Sequence, residues 1–307
     1  MLSLVLAQKI LSLFVIMAMG FALVKSGVLK PQDSRAVSLV SLYVISPCML
    51  LSAFQIDRTP EVTQGFLTAL AGGFAVQLLY LLLSAVFGRL LRLDAVEKTS
   101  ALYSNCGNLI VPLVVMVLGQ DMVIYCTAYL AFQTVLMWSH GLSLMRGKRS
   151  FSLRDMLLRV NMLAVYAGLI MFFTGLRFPG VIQVAVDSVG SMVGPSAMLV
   201  TGMIMGGIDF KSLLGYRRLP IPVLLRLVVF PLAALALLKF SPLAALAPNG
   251  AEVLLVVLLA AAAPSASTMN QMAQIYDHDA GYASAINVVT FLLCIVTMPF
   301  IVALYQL

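Results

Sequence analysis

The chain of 307 residues falls into one apolar stretch after another, each about as long as a bilayer is thick, and that repeated length limits the fold more than any other feature. A helix needs roughly twenty residues to cross a hydrocarbon core of about 30 Å. Runs of that length read as spanning helices. Ten spans are predicted, at 4–25, 35–56, 64–88, 96–118, 122–145, 156–175, 180–206, 219–239, 251–275 and 281–305. With 62% hydrophobic and only 10% charged residues, the chain cannot cover itself with a polar shell. It reads as an all-α polytopic membrane protein.

The nineteen basic residues sort by loop. Lys25, Lys30 and Arg35 follow span one, and Arg89, Arg92 and Lys98 follow span three. Arg146, Lys148, Arg149, Arg154 and Arg159 follow span five, and Lys211, Arg217, Arg218 and Arg226 are assigned to the region after span seven. Only Lys9, Arg58, Arg177 and Lys239 fall on the other side. By the positive-inside rule both termini are expected outside the cytoplasm, in a multi-pass protein of the plasma or inner membrane. Short basic clusters between apolar runs are topology signals, so no nucleic-acid partner is expected despite the formal charge of +7. Cys48, Cys106, Cys126 and Cys294 all lie inside spans without CxxC spacing, which predicts neither a disulfide framework nor a zinc site. The first run has no basic leader or small-residue cleavage site and reads as a retained helix.

Two spans contradict their own hydrophobicity. Residues 104–112, Ser-Asn-Cys-Gly-Asn-Leu-Ile-Val-Pro, combine Asn105, Cys106, Gly107, Asn108 and Pro112, a set that breaks helices. Residues 261–270 do the same with Pro264, Ser265, Ser267, Thr268 and Asn270. Interrupted backbone at membrane depth persists only where protein or a watery cavity satisfies it, so both stretches are candidate substrate-binding sites. Paired broken spans in the two halves are the signature of a secondary transporter.

The halves also repeat. Pro47 and Pro195 stand 148 positions apart, and Pro112 and Pro264 stand 152 apart, each close to half the chain. This predicts two five-helix units, 1–150 and 151–307. Because five is odd, the second enters the membrane inverted. Spans four and nine can then cross at their breaks, each second half-helix beginning at its proline. Two helix N-termini aimed at one volume favour an anion by roughly 0.3–2 kcal/mol each.

On these motifs the chain resembles the auxin efflux carrier family, the PIN-like carriers of plants and their bacterial relatives, within the bile acid/sodium symporter-like superfamily. The residues that carry the likeness are Ser46-Pro47-Cys48 in span two, Asn105 seven positions before Pro112, and Pro264-x-Ala266 followed by Ala273-x-x-Tyr276. The resemblance implies crossed broken helices four and nine. It implies a scaffold of spans one, two, six and seven that often forms a homodimer, beside an elevator-like transport domain. It also implies an organic-anion substrate, auxin-like or dicarboxylate. Ile110 departs from the family pattern, which commonly has glycine two residues before the span-four proline.

Asn105 and Asn108 are the expected hydrogen-bond donors to a carboxylate, and Ser46 is a candidate on the scaffold wall. Neither break contains Asp or Glu, so obligate ion coupling there is not expected, and neither Arg nor Lys is expected in the crossover. Gly202 and Gly206 form a small-xxx-small pair that suits packing within the chain. His140 is expected to be a satisfied side chain near the end of span five, and Asp187 the one acid well inside a span. A Na⁺- or H⁺-coupled symporter of the same superfamily and a non-transporting membrane sensor are the alternative readings. With two histidines and scattered acids no catalytic or metal-ligand set can be assembled, so neither an enzyme nor a cofactor is expected.

Overall fold

The structure, a computed structural model, describes residues 2–147, 158, 160–208 and 215–307. These residues are mostly helical, and they contain no strand beyond one isolated β-bridge. The helices are α1 (Leu2–Lys25), α2 (Pro31–Ala53), α3 (Pro60–Leu90), α4 (Ala95–Leu102), α5 (Cys106–Leu118) and α6 (Gln120–Arg146), then α7 (Val160–Thr174), α8 (Gly180–Gly206), α9 (Pro220–Phe240), α10 (Gly250–Ala262), α11 (Thr268–Ile275) and α12 (Ala280–Gln306). Among the described residues, α2, α3, α6, α8, α9 and α12 are each long and apolar enough to cross a membrane. Leu11–Lys25, α5, α7 and α10 are shorter apolar helices. Two of the long helices and the short α4 start where the sequence supplies caps. Thr59 accepts the Val62 N–H ahead of α3, Asp279 accepts the Tyr282 N–H ahead of α12, and Asp94 with Glu97 forms a reciprocal capping box on α4.

Three prolines leave the same mark inside the helices. Ser41–Ile45 in α2, Cys106–Ile110 in α5 and Leu225–Val229 in α9 are single π-turns, and each ends two residues before a proline, Pro47, Pro112 or Pro231. The residue ahead of each proline gives its N–H to the carbonyl five back: Ser46 to Ser41, Val111 to Cys106 and Phe230 to Leu225. A proline ring collides with the carbonyl four residues earlier, and one widened turn moves that carbonyl aside without ending the helix.

Glycine sets the closest helix contact. A Cβ on Gly202 would strike the Met17 carbonyl, one on Gly20 would strike the Leu199 carbonyl, and one on Gly206 would lie 2.7 Å from Val24 Cβ. α1 and α8 therefore lie backbone against backbone, and the small-xxx-small pair packs within the chain, as its spacing suggested. α2 packs on α7 and α8, while α3 packs on α6 and α10.

Loops expected on one side do meet. The Arg177 guanidinium lies 2.8 Å from Asp57, and Arg58 donates to the Phe173 carbonyl. At the other end Arg218 donates to the Leu91 and Arg92 carbonyls, and Arg146 donates to the Tyr276 hydroxyl. Lys148, Arg149, Arg154, Arg159 and Lys211, used in the topology argument, lie outside the described residues, as does the side chain of Lys9.

Candidate functional site: the crossing of two broken helices

α4 stops at Leu102 and α10 at Ala262, because the next residues are extended: Tyr103 has φ −96° and ψ 130°, Ala263 φ −57° and ψ 154°. For Ala263 the cause is Pro264, whose ring disfavours the helical conformation in the residue before it. The two extended stretches meet in an antiparallel bridge between Ser104 and Ser265. The Asn105 N–H donates to the Pro264 carbonyl at 2.7 Å, and the Ala266 N–H donates to the Tyr103 carbonyl at 3.0 Å. Each break thus supplies the partners that lipid cannot.

Side chains from the following helix complete each break. Gln133 on α6 accepts the Ser104 N–H (3.0 Å) and hydroxyl (2.6 Å) through Oε1, and its Nε2 donates to the Ser104 carbonyl at 2.8 Å. On α12, Asn287 Nδ2 donates to the Ser265 carbonyl at 2.7 Å, and Thr290 Oγ1 accepts the Ser265 N–H at 3.2 Å. One device, a buried amide clasping the central serine, therefore serves both halves.

The crossing also contains a charge. Arg226, which the sequence assigns to the region after span seven, lies within α9 and has no exposed surface. Its Nε donates to the Ala263 carbonyl at 2.7 Å and its Nη1 to the Ala101 and Leu102 carbonyls at 3.1 Å each. Its Nη2 donates to the Ala261 carbonyl, and the Tyr80 ring lies 5.7 Å away. One guanidinium thus caps the C-terminal ends of α4 and α10 together, where helix dipoles are negative. The expectation of a crossing without Arg or Lys is corrected. Arginine fits because its planar fork reaches carbonyls from two directions and cannot lose its proton.

The second halves begin away from their prolines. α5 resumes at Cys106, six residues before Pro112, whereas α11 resumes at Thr268, four residues after Pro264. The bridge pairs Ser104 with Ser265, so Pro112 and Pro264 are not equivalent in place. Pro112 widens a turn and packs on α8, where a Cβ on Gly194 would lie 2.7 Å from its own, while Pro264 ends α10. Neither N-terminus carries a side-chain cap: Asn105 and Ser267 occupy the cap positions without capping hydrogen bonds. Asn105 is buried and donates through Nδ2 to Ser267 Oγ at 3.3 Å, tying the two N-termini together.

The predicted site residues separate by exposure. Asn108 is exposed, and Gly107, Ser267, Thr268 and Asn270 are partly exposed, so these are the residues of the two breaks that lie open. Cys106, Pro112, Pro264 and Ser265 are buried and face the core; the Cys106 thiol lies 3.4 Å from that of Cys126. They shape the break and do not line an open surface. Ile110 is likewise fully buried, so the bulk that replaces glycine sits in the core. Ser46 lies just after the π-turn of α2, and among the described residues no hydrogen bond joins it to either break.

Against known families, the model described as "Membrane transport protein" matches this chain twice, over residues 5–156 and 151–302. The chain belongs to the membrane transport protein family. That family includes the auxin efflux carriers that the motifs resembled, and its matches leave only a few residues at either end uncovered. No curated protein matches the chain. Within this family of transporters the residues that sequence reasoning missed are Arg226, Gln133, Asn287 and Thr290. Arg226 carried a legible signal, since a charge inside an apolar run is expensive unless it is used. The two amides carried a weaker one, being polar residues one helix beyond each break.

Proposed function

We propose that this family member carries a small organic anion, auxin-like or dicarboxylate, by alternating access, and holds its carboxylate at the open face of the crossing. The observation that carries this reading is the division of charge. Arg226 neutralises the negative ends of α4 and α10, while the positive ends of α5 and α11 have no side-chain cap. The field left at the open face favours an anion, by roughly 0.3–2 kcal/mol for each helix end. Asn108 and Thr268 stand there as donors, and the Asn105–Ser267 hydrogen bond holds the two helix ends in register. The described residues of that face, Gly107, Asn108, Ser267, Thr268 and Asn270, carry no charge, so the site is shallow in energy, which suits a carrier that must release its cargo.

The antiparallel bridge supports reading the chain as two inverted five-helix repeats, 1–150 and 151–307, and the described segments support ten crossings. The close α1–α8 contact and the packing of α2 on α7 support a scaffold apart from a moving α3–α6 and α9–α12 body, an elevator-like division. Homodimerisation through the scaffold and termini outside the cytoplasm belong to the same reading. Neither break contains a carboxylate, which favours transport without obligate ion coupling.

The test is counterflow of labelled malonate, malate and indole-3-acetate in proteoliposomes, with and without Na⁺ and pH gradients. Saturable exchange without either gradient, reduced in Asn108→Ala and Asn105→Ala, is the expected result. If both variants exchange at the wild-type rate, the crossing is not the site.

A further inference from the structure

A second site lies away from the crossing, at the end of α3 that carries Arg89. Here α3, α4 and α6 line a half-open groove of about 170 Å³. Leu81, Ser84 and Arg89 of α3, Lys98 of α4, and His140 and Leu144 of α6 line it. Among the described residues the charge is uncompensated. The two nearest acids in sequence are engaged elsewhere: Asp94 accepts the Glu97 N–H as the cap of α4, and Glu97 is held by Arg218 at 2.8 Å and by the Tyr282 hydroxyl at 2.9 Å. Among the described residues neither Arg89 nor Lys98 has an acidic partner. Lys98 extends across Gly88, its Cε 2.8 Å from where a Cβ there would stand, which brings the ammonium group to the groove.

The flank of the groove is apolar and faces outward. Leu78, Leu82 and Val86 are exposed at one-turn spacing on α3, beside Ala85 and Arg89. A ligand lying here meets two cations at one end and a hydrocarbon track at the other. We propose that the groove binds an anionic phospholipid, with the phosphate between Arg89 and Lys98 and an acyl chain along Leu78, Leu82 and Val86. Bilayer-facing basic grooves of this kind select anionic headgroups, because the lipid brings its own counter-charge and its chain stays in hydrocarbon. A soluble anion gains only the first of these. The groove is also one side chain from the crossing. His140 Nδ1 lies 2.9 Å from the Tyr103 hydroxyl, and the Tyr103 carbonyl accepts the Ala266 N–H of the bridge. A lipid seated here would therefore touch the wall that supports the broken helices.

The test is native mass spectrometry of the detergent-solubilised full chain titrated with phosphatidylglycerol, phosphatidylcholine or glycerol 3-phosphate. Phosphatidylglycerol should bind saturably and phosphatidylcholine should not. Arg89→Gln with Lys98→Gln should weaken the anionic lipid roughly tenfold or more, at about 1 kcal/mol per cation near a membrane surface. Lys98→Gln alone should fall between. Lys25→Gln with Lys30→Gln, two exposed cations elsewhere, should bind as wild type. Equal binding by the groove variants, equal weakening by the control pair, or equal binding of phosphatidylcholine overturns the proposal. Competition by glycerol 3-phosphate at matching concentration reassigns the groove to a free phosphate and overturns it as a lipid site. None of these readouts depends on which anion the crossing carries.

Discussion

Arg226 concentrates more of the architecture than any other residue, because its guanidinium satisfies carbonyls on both sides of the crossing. Arg226→Met would leave those acceptors buried and unpaired, and should destabilise the protein by roughly 3–5 kcal/mol. Arg226→Lys should rescue little of that loss, since an ammonium group cannot fork toward Ala263 and Leu102 together. Chemical unfolding of the detergent-solubilised variants measures both. Asn105 and Asn108 should separate under substitution. Asn108→Ala, at an exposed position, should reduce exchange with the melting temperature unchanged. Asn105→Ala should reduce both, because it also removes the hydrogen bond to Ser267.

At the scale of elements, the two breaks are built alike although their sequences differ. Gln133 clasps Ser104, and Asn287 with Thr290 clasps Ser265. Gln133→Leu and Asn287→Leu each orphan backbone groups of a serine and should each cost about 1–3 kcal/mol, measured by the same unfolding experiment. The α1–α8 contact offers a sharper contrast. Gly202→Val would push against the Met17 backbone, which cannot give way, and should cost at least the 1–3 kcal/mol typical of overpacking. Gly180→Ala, with nothing within 4 Å of the added carbon, should stay within about 0.5 kcal/mol of wild type.

For the whole molecule, the elevator reading turns on contacts that join the scaffold to the rest. Gln120 Nε2, at the start of α6, donates to Ser52 Oγ on α2 at 3.3 Å, and Ser52 donates to Asp187 on α8 at 2.5 Å. Asp187, expected well inside its span, is exposed and also holds the Gln183 amide. A Gln120→Cys, Ser52→Cys pair bridged by a short bis-methanethiosulfonate reagent should lose counterflow and recover it on reduction. Full counterflow with the cross-link intact would show that the two bodies need not move past each other.

The sequence alone determined where the helices lie, that two of them break, and that the chain joins a family of membrane transporters. Span length, caps, prolines and loop charges are local signals, and lipid makes them decisive by withdrawing every external hydrogen-bond partner. The observed helices accordingly begin and end within a few residues of the predicted spans, with α8 matching 180–206 at both ends. What only the tertiary structure decided is which groups meet at the breaks. Ser104 and Ser265 bridge across 161 positions, and Arg226 reaches back 125 positions to Ala101. Such pairings have no local spacing rule. The proline offset equated Pro112 with Pro264, but the bridge equates the serines, because the hydrogen bonds freed by each break had to be satisfied by the other.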